Sequence, residues 1–197
     1  MHFDPQLAFS RNRGLISDVE QRRLSQCRAV IAGCGGVGGV HALTLARLGL
    51  GKFRITDPDT YSVGNFNRQS GANIHTLDRN KAEVIAEMIS AINPSAEVEI
   101  VPGGVTSANV GQFIAGADLV VDGVDFFALR ARRTLFTAAW AAGIPAMTAA
   151  PLGFSGTVQI YAPGGMSFDE YFDISDEQTY FDQIVNFLLG LAPAALP

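Results

Sequence analysis

Six residues, Gly33-Cys34-Gly35-Gly36-Val37-Gly38, follow the pattern G-x-G-x-x-G. The run before them, Ala29 to Ala32, is small and apolar as a buried strand would be, and a helical stretch follows from about Val37 to Leu48. In that setting glycines let the backbone come close to phosphate oxygens, and the helix start adds N–H donors and positive potential. Asp57 stands 19 residues beyond Gly38, at the end of the next strand-like run, Lys52 to Asp57. An acid in that place holds ribose hydroxyls. Gly33, Gly35, Gly36, Gly38 and Asp57 therefore read as a nucleotide site. The turn by itself leaves NAD, FAD and ATP open.

Three charged residues separate these nucleotides. A helix start largely satisfies the two phosphates of a dinucleotide, whereas a triphosphate needs cations aimed at its far end. Arg68 supplies a planar fork, and Lys81 a point charge at the start of the following helix. Asp125 lies just past the apolar run Leu119-Val120-Val121, at the carboxyl edge where ligands sit in open α/β sheets. A carboxylate there can hold Mg²⁺ against phosphate oxygens. Taken singly, each has a plainer reading. Arg68 and Lys81 would be solvated charges, and Asp125 the cap of a helix starting near Phe127. Their joint position at one edge of the sheet favours ATP with Mg²⁺.

The elements that must position these residues alternate along the chain. After the strand at 52–57, an amphipathic helix is expected over 78–92, with Ala82, Ile85, Ala86, Ile89 and Ile92 on one face and Asn93-Pro94 ending it. A strand at 97–101, a short helix at 107–115, the strand at 119–121 and a helix at 127–142 follow. Two more strands are expected at 146–149 and 157–161. Ser17-Asp18-Val19-Glu20 is a capping box that starts a short early helix. The last helix is expected over 175–191. The alternation predicts an α/β fold: a Rossmann-like, doubly wound, mainly parallel sheet with helices on both faces. We divide the chain into an N-terminal arm and helix (1–28), an ATP-binding core (29–165) and a C-terminal helical segment (166–197). The apolar run from Ile184 to Leu196 needs cover, which a homodimer partner or a further C-terminal region would supply.

The order and spacing of many pieces together resemble the ThiF/MoeB adenylyltransferases, the adenylation core of ubiquitin-activating enzymes. The pieces run from about Phe9 to Pro163. They are Phe9-Ser10-Arg11, the glycine turn, Asp57-x-Asp59, Asn65-x-Asn67-Arg68-Gln69, Lys81, Ile92-Asn93-Pro94, Asp122-x-x-Asp125, Arg130, Gly143-Ile144-Pro145 and Gly156-Thr157-Val158. The resemblance implies that Asp57 holds the ATP ribose, with Asp59 beside it in the nucleotide site. It implies that Asn65, Arg68 and Lys81 bind phosphates, that Asp125 carries Mg²⁺, and that Arg11 reaches the γ-phosphate bound by the other subunit of a homodimer. The implied reaction activates a carboxylate as an acyl-adenylate and releases pyrophosphate. The carboxylate would be the C-terminal glycine of a ubiquitin-like or sulfur-carrier protein, or a small molecule. A tRNA threonylcarbamoyladenosine dehydratase branch shares the fold and is the alternative. Phe126 stands where many members have Asn, and no CxxC pair is present.

Composition sets the remaining bounds. With 48% hydrophobic and 17% charged residues, the chain is globular. A net charge of −5 disfavours a non-specific grip on nucleic acid or on an anionic membrane. Two cysteines, Cys27 and Cys34, exclude a disulfide scaffold and suit a reduced, cytoplasmic protein. An NAD(P)-dependent oxidoreductase would need a hydride-transfer pair such as Tyr-x-x-x-Lys or a catalytic histidine. No such pair is present, and His2, His41 and His75 have no evident partners. A non-catalytic nucleotide-binding domain would have no use for Arg68, Lys81 and Asp125 together. Cys34, committed to the turn, is expected to be inert, with its backbone given to phosphate and its side chain packed.

Overall fold

The structure, a computed structural model, describes residues 3–192. His2 and the end of the apolar run, 193–197, lie outside the described residues. Six strands form one sheet in the order β3-β2-β1-β4-β5-β6. They are β1 (Arg28–Ala32), β2 (Lys52–Thr56), β3 (Glu97–Ile100), β4 (Leu119–Asp122), β5 (Ala146–Leu152) and β6 (Ser155–Tyr161). The first five are parallel, and β6 folds back antiparallel on β5 through a turn at Gly153. The chain leaves β1 towards β2 on one side and returns to β4 on the other. The crevice between the carboxyl ends of β1 and β4 is thus the switch point of the sheet. The doubly wound α/β fold is as expected.

Helices α1 (Pro5–Ala8) and α2 (Asp18–Leu24) precede the sheet, and α3 (Gly36–Leu48), α4 (Lys81–Ile92), α5 (Val110–Ile114) and α6 (Leu129–Ala141) alternate with its strands. Two more, α7 (Phe168–Tyr171) and α8 (Tyr180–Leu191), follow it. Side chains of β1 alternate between two cores. Ala29 and Ile31 pack with Phe53, Ile55, Ala42, Ala46, Ile85 and Ile89 on the α3/α4 face. Val30 and Ala32 pack with Phe113, Val120, Leu135, Phe136, Phe168 and Phe187 on the other. Burial of β1 on both faces explains its continuous apolar run. Arg54 points from β2 into the second face, almost buried, and donates to the carbonyls of Gln112, Phe113 and Ala115 while pairing with Glu99. It satisfies the carbonyls that end α5.

Several boundaries differ from expectation, each for a local reason. Helix α4 begins at Lys81, not Asp78, because Asp78 adopts a left-handed φ of 63° and Asn80 caps the helix. Helix α6 begins at Leu129 because Asp125 Oδ1 accepts the Phe127 N–H and holds that segment in a turn. Helix α5 is shorter than 107–115, since Asn109 pairs with Thr106 in a preceding turn. Strands β5 and β6 are longer than the apolar runs suggest, because hairpin pairing extends them to Leu152 and Ser155. The expected helix over 175–191 begins at Tyr180, where Thr179 and Asp182 form a capping box. Another capping box, Ser167 with Glu170, starts α7, which the sequence reading missed. Part of the apolar C-terminal run finds cover within the chain: Phe187 and Leu191 are buried in the second core, while Leu188 and Leu189 are exposed. Among the described residues no helix is long and apolar enough to cross a membrane.

Glycine spacing makes a contrast in stability. A Cβ on Gly38 would stand 1.9 Å from the Gly33 carbonyl oxygen, whereas one on Gly111, within α5, meets nothing within 4 Å. Gly38→Ala is expected to destabilise the fold by ~1–3 kcal/mol or more. Gly111→Ala should stabilise it by about 0.5 kcal/mol. Urea unfolding of the two variants checks the opposite signs.

Candidate nucleotide site

The glycine turn leaves β1 with Gly33 at φ +89°, its N–H bonded to the Thr56 carbonyl at 2.8 Å. Helix α3 then starts at Gly36 without a side-chain cap, so its first N–H groups have no partner from the chain's side chains. Gly35, Gly36 and Val37 line an open cleft of about 1070 Å³. Gly33 lines it too, while Gly38 is buried behind the turn and serves close packing instead. Cys34 is buried, and burial, with Asp57 nearby, pushes its thiol far above the ordinary range. Its N–H donates to Asp57 Oδ2 at 2.7 Å, so that donor is held by a carboxylate and not kept for phosphate as expected.

Asp57 sits at the floor of the cleft, almost buried. Its other oxygen accepts the Asp59 N–H at 2.9 Å. Burial raises this carboxyl, and the two N–H bonds and Lys81 pull it back. Each oxygen keeps a second acceptor position for a ligand hydroxyl. Lys81, the first residue of α4, is only 7% exposed, and its Nζ lies 3.0 Å from Asp59 Oδ2. Arg68 lines the cleft, with Nη1 bonded to the Gly64 carbonyl at 2.8 Å and to Asn67 Oδ1 at 3.1 Å. Asp125 lines it from the loop after β4. Two of the expected residues stand elsewhere. The Asn65 carboxamide oxygen is occupied by the Ser62 N–H at 2.9 Å, and Asn65 does not line the cleft. Arg11 is exposed on the short 3₁₀ turn Ser10–Asn12, outside the cleft of its own chain.

Sequence reasoning missed three residues of the cleft. Gln69 is nearly buried beside Gly35, and its Oε1 has no hydrogen-bond partner. An orphan acceptor of that kind is paired by a ligand or water. Arg132 pairs with the buried Asp122, at 2.6 Å from Nε to Oδ2. The same guanidinium donates to the carbonyls of Val124, Asp125 and Phe126, and so holds the loop that carries Asp125. Thr148 adds a 2.8 Å bond to Asp122. Nothing in Arg130-Ala131-Arg132-Arg133 singles out the third residue, because its partner lies on another element. His41 is the third, half-buried on α3 at the cleft wall.

Burial holds the His41 imidazole below its ordinary 6.5. A depressed folded-state value contributes stability that is present above about pH 6.5 and is lost as pH falls through the folded value. An NMR titration of His41 in the free protein is expected to show a midpoint below 6.5, and His41→Gln should flatten the acid side of the stability profile.

Residues 9–194 match the model of the ThiF family. The SAMP-activating enzyme E1 of Haloferax volcanii is 31% identical over 177 residues, which is 89% of this chain and 65% of that protein. The sulfur carrier protein ThiS adenylyltransferase of Escherichia coli is 29% identical over 143 residues, 73% of this chain and 56% of that protein. The solved structure of E. coli tRNA N6-threonylcarbamoyladenosine dehydratase in complex with ATP superposes with a TM-score of 0.70. It is 27% identical and covers 79% of this chain and 70% of that one. The chain thus spans between about half and two thirds of the length of these two curated relatives. With a family match across nearly all of its described residues and an open cleft at the switch point of its sheet, this chain belongs to the ThiF family.

Proposed function

We propose that the chain binds ATP with Mg²⁺ and adenylates a carboxylate. The substrate would be the C-terminal glycine of a ubiquitin-like or sulfur-carrier protein, or a small carboxylate. One arrangement carries this reading: a single cleft joins the glycine turn and Asp57 to Arg68, Lys81 and Asp125. In the reaction a substrate carboxylate oxygen bonds to the α-phosphorus as the bond to the bridging oxygen breaks, and pyrophosphate leaves with that electron pair. The chain's own work is positioning and charge neutralisation. Asp57 offers its free acceptor positions to the ribose hydroxyls. The uncapped start of α3 and the Arg68 fork face phosphate oxygens, and Lys81 exchanges its Asp59 partner for them. The orphan Gln69 Oε1 fits a ligand donor inside the cleft. Among the described residues no group of three or more His, Cys, Asp or Glu gathers to hold a metal. Asp125 would hold Mg²⁺, which would neutralise phosphate charge at that edge of the cleft.

A second reading keeps the same first step. The dehydratase named above is 27% identical to this chain, close to the 31% and 29% of the two curated relatives, and its solved complex contains ATP. A tRNA substrate would then take the place of the carrier protein. The net charge of −5 favours the carrier. ATP–pyrophosphate exchange against a panel of carrier proteins, small carboxylates and threonylcarbamoylated tRNA separates the two.

We further propose a homodimer in which Arg11 serves the partner's site. Its place outside its own cleft supports that assignment.

Calorimetry with Mg²⁺ should show ATP bound more tightly than NAD; tight NAD binding with none for ATP would refute adenylation. Arg68→Ala and Lys81→Ala should each weaken ATP binding by ~1.5–3 kcal/mol, the range for hydrogen bonds to charged groups. Mixed dimers of Arg11→Ala and Asp125→Ala subunits should regain part of the exchange activity that each variant alone lacks, because one of the two sites is intact. A confirmed mixed dimer with no activity rules out the shared site.

A further inference from the structure

The loop that carries Asp57 and Asp59 lies along the segment leading into α4. Tyr61 N–H donates to the Arg79 carbonyl at 3.0 Å, Asp78 N–H to the Tyr61 carbonyl at 2.9 Å, and Lys81 N–H to the Asp59 carbonyl at 3.0 Å. These backbone bonds reach no further than Asp59. One side chain extends the tie. Asn80 Nδ2 donates to the Asp57 carbonyl at 2.9 Å and to the Asp59 carbonyl at 3.2 Å. Its Oδ1 accepts the N–H groups of Ala82 at 2.9 Å and Glu83 at 3.2 Å. The amide orientation is settled by its partners, since the reversed amide would set NH₂ against two N–H groups and oxygen against two carbonyls.

We propose that Asn80 is a positioning residue that sets the spacing between the ribose side and the phosphate side of the cleft. The inference rests on the nucleotide reading given above. Asp57 faces the ribose and Lys81 the phosphates. The Asn80 amide binds the backbone of the first with its nitrogen and fixes the helix start that bears the second with its oxygen. Lys81 is held in turn by Asp59, whose carbonyl Asn80 also holds. Asn80 itself does not line the cleft, so it acts through its neighbours and not on the ligand. Serine or aspartate caps a helix as well as asparagine does. Neither carries an amide donor that can bind a carbonyl while its oxygen caps. The choice of asparagine at this cap is therefore explained by the two carbonyls.

The test uses variants that keep the cap and lose the clamp. Asn80→Ser retains a capping oxygen; Asn80→Asp retains one and sets a carboxylate against the two carbonyls. Asn80→Ser should melt above Asn80→Ala, which loses cap and clamp together. In calorimetric titrations with Mg²⁺, the Kd for ATP should rise about three- to tenfold in Asn80→Ser, the weight of one to two neutral hydrogen bonds, and further in Asn80→Asp. The Kd for AMP should rise less than that for ATP, because AMP does not span the distance to Lys81. Wild-type ATP affinity in both cap-preserving variants would show that Asn80 only caps α4 and would overturn the inference. Equal losses for AMP and ATP would overturn the spacing role. Failure of the wild-type chain to bind ATP would instead overturn the nucleotide reading itself.

Discussion

A Cβ on Gly38 would stand 1.9 Å from the Gly33 carbonyl oxygen, and one on Gly33 would stand 2.2 Å from that of Gly123. Three backbone segments therefore touch where any side chain would force them apart: the end of β1, the first turn of α3 and the end of β4. This contact brings the start of α3 to the crevice between β1 and β4. Without it the helix would ride higher on the sheet, and its free N–H groups would not meet the carboxyl ends of the strands. The Gly33 N–H, bonded to Thr56, adds β2 to the same point. Asp57 follows directly and is tied back to the turn through the Cys34 N–H.

The charges around this point are arranged in advance. Asp57 is held by two backbone N–H groups, Asp59 by Lys81, and Asp122 by Arg132, Thr148 and the Val124 N–H. The pairs differ in kind. Asp122 and Arg132 are both buried, so their desolvation is offset only by complete hydrogen bonding. Removing either would leave a buried charge, at a cost of about 3–5 kcal/mol. Their role is to hold a loop. Asp59 is largely exposed while Lys81 is not, so water could take over the carboxylate if the lysine turned to a phosphate, as the proposed function requires. That asymmetry suits one pair to be permanent and the other exchangeable.

The second face of the sheet depends on segments that follow it. Phe168, Phe172 and Phe187 pack together with Phe136 and Tyr161, and Phe187 also lies 4.7 Å beneath the Arg132 guanidinium. Helix α8 thereby covers one side of the buried Asp122–Arg132 pair. Phe126, next to Asp125, joins this cluster through Phe187. The same residue that departs from the Asn found in many family members is thus anchored by aromatic packing.

Local chemistry was legible without coordinates wherever it is local in sequence. The glycine turn, the strand before it and the helix stop at Gly49 follow from neighbouring residues, as does the Ser17 capping box. Alternation of apolar runs determined the parallel sheet, and Lys81, which starts a helix, and Asp125, which follows a strand, fall with Arg68 around one cleft. Partnerships across elements were not legible. Arg132 was indistinguishable from its neighbours until β4 brought Asp122 to it, and Gln69, present in a motif, had no role until Gly35 lay beside it. Asn80 fell in the first turn of the expected helix until the left-handed Asp78 made it a cap. The C-terminal apolar run asked for cover, but only folding showed that the chain's own sheet supplies part of it. Periodicity and turn chemistry report what a residue does to its own segment. Which side chains meet is decided by the packing of segments far apart in the chain, and that is a property of the tertiary structure alone.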